Sequence, residues 1–292
     1  MSHVRHLLIS LIPFIFVFLW STGFIAAKYA LPFIEPFFLL FIRMSLTLIA
    51  FSLLCLFFRV RLLPLELAGH QFVTGLLVHG AYLGGVFAAI KWGMPAGITA
   101  IVVGVQPVLT ASLGRFWLKE QLRPKQWLGL GLGLAGVVTV LLSTGRQENV
   151  HLTIPAVLAA VTALAGISIG TLYQKRFGAG ANLLAGSLWQ YISAVLAMAL
   201  LAWCCETRHV IWDRQLYFAL GWLVLGLSVT AILLLMYMIR EGETAKVASY
   251  FYLVPPVASV EAWFLFDESL SLVAICAIGI TVFAVHLVTQ RT

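Results

Sequence analysis

The residues able to do chemistry in this chain lie within apolar runs. Glu261 interrupts one such run about five residues from its end. A carboxylate inside a lipid-facing segment is costly unless it is protonated, hydrated or paired. It therefore reads as a proton-coupling group, as a counter-ion for a cationic substrate, or as an interfacial glutamate reaching water or pairing with Arg43. His79 and Tyr82 share one face of another apolar run and offer hydrogen bonding and stacking; a satisfied packing histidine is the competing reading. Trp20 and Ser21 sit mid-run, away from the ends where aromatic belts form. They read either as cavity lining or as ordinary core. Lys28, Arg43 and Lys91 are cations near run ends, with interface anchoring or snorkelling as the simpler account and anion binding as the alternative.

Two runs carry helix breakers. Pro107 lies in the middle of one and Pro255-Pro256 in the middle of another. Each proline removes a backbone N–H and clashes with the carbonyl four residues back. This leaves the carbonyls of Val103, Phe251 and Tyr252 without their usual partners. Such breakers at matching places in two halves point to a substrate site or a hinge, against a packing kink met by neighbouring helices. Helical spacing puts Gln106, Thr110 and Leu113 on one face. Their counterparts in the second half are Val254, Ala258 and Glu261. His79 and Tyr82 correspond to Leu227 and Thr230, with Tyr237 two turns beyond. The expected cavity is thus walled by the third, fourth, eighth and ninth runs. Trp20, Ser21, His79, Tyr82, Gln106, Thr230, Tyr237 and Glu261 are its substrate-binding candidates, and Pro107, Pro255 and Pro256 its hinges.

The elements that must position these residues follow from composition. The 292 residues are 62% hydrophobic and 10% charged, and the mean hydropathy is +1.02. A water-soluble surface needs far more charge than this. Ten runs are each long enough to span a bilayer as a helix: Leu7–Ala27, Pro36–Phe58, Phe72–Ile90, Gly97–Leu118, Gln126–Ser143, Ile154–Tyr173, Leu183–Trp203, Leu216–Ile239, Ala245–Phe266 and Leu272–Thr289. Met1 to Gly23 has the basic start of a signal peptide, but its apolar run continues to Ala27 and more spans follow, so a retained first helix is expected.

The net charge of +7 does not suggest nucleic acid, because the cations are scattered between apolar runs rather than clustered. They fix orientation instead. With the N-terminus in the cytoplasm, 12 Lys and Arg fall inside and 6 outside, so both termini are expected in the cytoplasm. The cysteines, Cys55, Cys204, Cys205 and Cys276, have neither metal-ligand nor disulfide-framework spacing. No metal and no cofactor is expected.

The halves repeat. An offset of 148 residues relates Pro107 to Pro255, Glu120 to Glu268 and Gly131 to Gly279 without a gap. Residues 1–145 and 152–292 are the expected repeat units, each of five spans. Five is odd, so the second copy must enter the membrane inverted, as in many secondary transporters. Gly129 and Gly133 form a GxxxG spacing that permits close helix approach, within a monomer or across a homodimer.

Several motifs in this order carry a resemblance: Leu19-Trp20-Ser21-Thr22-Gly23-Phe24, Phe41-Ile42-Arg43, Gln106-Pro107-Val108, Lys119-Glu120-Gln121-Leu122 with Gln126-Trp127-Leu128-Gly129, and Tyr252-Leu253-Val254-Pro255-Pro256-Val257 with Asp267-Glu268-Ser269-Leu270. The chain resembles, over essentially its whole length, the ten-span EamA-type transporters of the drug/metabolite transporter superfamily. The resemblance implies an all-α transmembrane fold and export of metabolites, amino acids or drugs through the bacterial inner membrane, with the lipid bilayer and a small-molecule substrate as partners and proton coupling as an option. The alternative is uptake or exchange of an anionic metabolite using Lys28, Arg43 and Lys91. A membrane enzyme is disfavoured, because no run carries paired carboxylates, HExxH or GxSxG.

Overall fold

The structure is a computed structural model that describes the chain except residues 1, 118–123, 145–151, 179, 233, 235–252, 268–271 and 290–292. Tyr237 lies outside the described residues. Among the described residues ten helices follow in order: α1 (Ser2–Ala30), α2 (Pro36–Phe57), α3 (Leu65–Lys91), α4 (Ala96–Val103, then Gln106–Trp117), α5 (Pro124–Thr144), α6 (Ile154–Phe177), α7 (Leu183–Cys205), α8 (Arg214–Gly221, then Trp222–Ala231), α9 (Val254–Phe266) and α10 (Leu272–Thr289). Among the described residues six helices are long and apolar enough to cross a membrane: α1, α2, α3, α4, α6 and α7.

Local chemistry starts these helices. Pro36 opens α2, and Asn182 accepts from the backbone N–H groups of Leu184 and Ala185 at the head of α7. Thr153 and Asp213 cap α6 and α8 in the same way, satisfying N–H groups that have no partner inside a helix. Gly93, just after α3, has φ of 101°, a left-handed turn that favours glycine.

Pro107 acts on α4 as its chemistry requires. The first segment ends at Val103, and Gly104 and Val105 turn before Gln106 restarts the helix. On α9 the described helix begins at Val254. Pro255 and Pro256 occupy the first turn of the described helix, where a missing N–H costs nothing. The restarts match, since Gln106 and Val254 are 148 residues apart.

The third and eighth helices share a feature that propensity does not announce. Leu76–Leu83 and Trp222–Ala231 are π-helical. The 148-residue offset brings Leu83 onto Ala231, so both stretches end in register. Packing exchanges between the halves in the same way: α1 lies against α8 and α9 as α6 lies against α3 and α4, while α2 pairs with α7 and α5 with α10. Glycines bring the backbones together. A Cβ at Gly170 would stand 2.6 Å from Val78, and one at Gly23 2.6 Å from Leu227. Both contacts press on a π-helical stretch. Gly133 faces Val108 and Ala284 of the same chain.

The core joins Phe16, Leu39, Leu40, Met44, Phe51 and Phe87, all essentially fully buried. Leu53, Leu56, Leu200, Leu225 and Phe264 are exposed. Water would penalise that surface, and lipid does not.

One end of the bundle is tied by its loops. Ile34 and Val210 form an isolated antiparallel bridge. The Glu206 carboxylate accepts from the N–H groups of Phe37 and Phe38, both at 2.7 Å. Glu35 accepts from the Thr207 hydroxyl at 3.0 Å and the Arg208 N–H at 2.7 Å. Lys91 donates to the Leu31 carbonyl at 2.6 Å, and Lys28 lies 4.1 Å above the Phe266 ring. At the other end, His70 stacks on Phe177 and bonds Tyr173, and Arg176 donates to the Trp117 carbonyl.

Candidate functional site

A cavity of about 50 Å³ opens where α1, α2, α3, α7 and α8 meet. That is room for a few waters, so a metabolite enters only as helices separate. Its polar atoms come from each of those five helices. The Trp20 indole (α1) lies beside the Tyr82 hydroxyl (α3). His79 stacks on Tyr191 of α7, with ring centroids 4.6 Å apart and 16° between planes. Tyr191 lies beside Ser228 of α8. Arg43 of α2 donates from Nε to Ser228 Oγ at 3.2 Å, and its guanidinium lies 5.9 Å from the Phe87 ring centroid. Phe24, Val78, Leu83, Val86, Leu227 and Ile232 supply apolar wall.

The network continues beyond the cavity. His79 lies beside Gln190, and Gln190 donates to Gln71 Oε1 at 2.7 Å. Gln71 is fully buried and its Nε2 has no partner among the described residues. His79 stands midway along the 27 residues of α3, so the cavity sits near the centre of the apolar bundle.

Of the sequence candidates, the structure brings Trp20, His79 and Tyr82 together around this space. Gln106 is absent from the lining and reaches along its own helix to Thr110 at 3.4 Å. Thr230 is exposed and donates to the Leu225 carbonyl. Its equivalence to Tyr82 under the 148-residue offset does not carry it to the cavity, although both residues lie in registered π-helical stretches. Leu227 and Ser228 face inward instead. The expected walls shift accordingly. Among described lining residues α1, α2 and α7 replace the fourth and ninth helices.

Ser21 and Glu261 form a separate pair. Ser21 Oγ donates to Glu261 Oε1 at 2.8 Å, and Glu261 Oε2 is buried without a partner among the described residues. Glu261 does not pair with Arg43. Nor does Arg43 snorkel outward: it is 4% exposed and turned to the cavity. Of Lys28, Arg43 and Lys91, only Arg43 lines the cavity. Among the described residues no group of three or more His, Cys, Asp or Glu side chains is placed to hold a metal ion.

Sequence reasoning missed Tyr191 and Ser228. The repeat held the signal, because Tyr191 lies 148 residues after Arg43, and Ser228 lies 148 after Gly80, beside His79.

Comparison with known proteins agrees. The family described as the EamA-like transporter family matches residues 7–142 and 154–290. The inner membrane transporter YedA of Escherichia coli (strain K12) is 30% identical over 250 residues, covering 85% of this chain and 79% of YedA. A protein named probable amino-acid metabolite efflux pump from Salmonella typhimurium (strain LT2) is 26% identical over 269 residues, covering 87% of this chain and 86% of the relative. A solved crystal structure superposes with a TM-score of 0.67 at 21% identity, over 96% of this chain and 95% of that one, which shows the fold. This multi-pass membrane protein, with its two repeats, belongs to the EamA-like transporter family.

Proposed function

We propose that the chain exports a small metabolite across the bacterial inner membrane by alternating access. The observation that carries this reading is a polar, aromatic cavity at the centre of the bundle, lined from both repeats. Relatives named as an inner membrane transporter and as a probable amino-acid metabolite efflux pump support the location and the cargo class. The repeats, residues 1–145 and 152–292, enter the membrane in opposite senses with both termini in the cytoplasm. The exchanged packing of the halves and their registered π-helical stretches support that symmetry. An inverted pair opens to the other side when its halves exchange conformations. The break at Pro107 and the prolines of α9 serve as hinges. Glu261, bonded on one oxygen only among the described residues, is the proton-coupling candidate.

Purified protein in proteoliposomes should show saturable counterflow of an amino acid or a derivative under a pH gradient. Absence of flux across a panel of such metabolites would refute transport of this class. Reporter fusions after Arg123 and Arg291 should read cytoplasm, and fusions after Arg146 and Arg208 the opposite side. A C-terminus outside would refute the inverted arrangement.

A further inference from the structure

Arg43 is the unexplained charge of this cavity. It is 4% exposed, inside a helix predicted to span the membrane. Burying a guanidinium without an anion is costly. Among the described residues Arg43 has no carboxylate partner. Its hydrogen bond is the one from Nε to Ser228, so its terminal nitrogens find no protein acceptor there. The Ser228 bond orients the guanidinium beside the Phe87 ring, and among the described residues nothing accepts from the far edge of the fork. That edge matches a carboxylate, which accepts two parallel N–H bonds from arginine.

The surroundings narrow the ligand. Trp20, Tyr82, His79 and Tyr191 present ring faces and edges around the same space. These suit a flat or bulky apolar group beside the carboxylate. Among the described residues no Asp or Glu lines the cavity, so none of them pairs with a substrate ammonium there. We propose that Arg43 is the carboxylate anchor of the transport site, and that the cargo is a monocarboxylate bearing an aromatic or bulky apolar group, in preference to the matching amine or amide. This rests on the cavity being the transport site. A Ser at 228 and a Tyr at 191, the residue equivalent to Arg43 in the other repeat, then orient the anchor rather than compete with it.

The test is binding to the full chain in lipid nanodiscs, by calorimetry, with phenylacetate, phenylacetamide and phenethylamine as probes of one shape and three charge states. Phenylacetate should bind at least tenfold more tightly than the other two. Arg43→Gln should erase that preference, and Arg43→Lys should retain part of it. If Arg43→Gln does not fold, the wild-type ranking and Arg43→Lys still decide. Equal binding of acid and amide, undiminished preference in the variants, or no carboxylate binding at all overturns the proposal. Counterflow of the same probes separates the two readings. Arg43-dependent binding without flux refutes transport and leaves the anchor, whereas flux without charge preference refutes the anchor and leaves transport.

Discussion

Glu206→Ala should open one end of the bundle. The Glu206 carboxylate holds the N–H groups of Phe37 and Phe38, both at 2.7 Å, and thereby ties the loop after α7 to the head of α2. Those amides are among the first of the helix and have no partner within it. Burial pushes the Glu206 carboxyl above its ordinary pKa, while the two amides and nearby Lys91 favour the charged form. Hydrogen bonds to charged groups contribute about 1.5–3 kcal/mol each. Glu206 is half-buried, so solvent takes a share and about 2 kcal/mol for the pair is a fair sum. Local opening should then rise roughly 30-fold. Hydrogen exchange by mass spectrometry reads this directly: the peptide holding Phe37 and Phe38 should lose that much protection, while α6 should not change. Glu206→Gln keeps one acceptor, and a rise of about fivefold is expected. In a carrier poised between two states, the same energy favours the state open at this end. Unchanged exchange at Phe37 and Phe38 in Glu206→Ala would refute the latch.

Three further outcomes are expected. Gly166→Ala places a Cβ 2.9 Å from Ala81, Tyr82 N and the Leu77 carbonyl; overpacking there should cost about 1–3 kcal/mol, and a thermal melt with no loss would contradict the contact. Acid should loosen the Glu35 contact. Burial opposes the Glu35 carboxylate, but bonds from Thr207 and Arg208 outweigh it and hold its pKa below the ordinary value, so its stabilisation is present above the ordinary carboxylate range and lost as pH falls through the lowered value; exchange around Thr207 should rise on acidification in wild type and not in Glu35→Gln. Glu261→Gln should abolish pH-driven flux with substrate binding retained, and flux still coupled to the gradient in that variant would remove Glu261 from proton coupling.

Much of the architecture is written in the chain itself. Apolar runs set the helices because a backbone in lipid must satisfy its own hydrogen bonds. Pro107 breaks α4 where its missing N–H requires it. The 148-residue offset, visible in prolines and glycines, already relates Arg43 to Tyr191. Trp20, His79 and Tyr82 were legible as polar or aromatic residues far from the span ends.

Tertiary structure alone decided which of these residues meet. The 148-residue offset makes Thr230 the counterpart of Tyr82, yet the packing of α8 turns Leu227 and Ser228 to the cavity and leaves Thr230 exposed. Whether an intramembrane cation reaches water or a cavity depends on what packs over it. Arg43 is buried beneath Phe87, Tyr191 and Ser228, and two of those three come from the other repeat. Likewise Glu206 and Phe37 are 169 residues apart and meet only when α2 and α7 pair. Such contacts are long-range, and local pattern carries no record of them because each half of the contact is unremarkable until the other arrives.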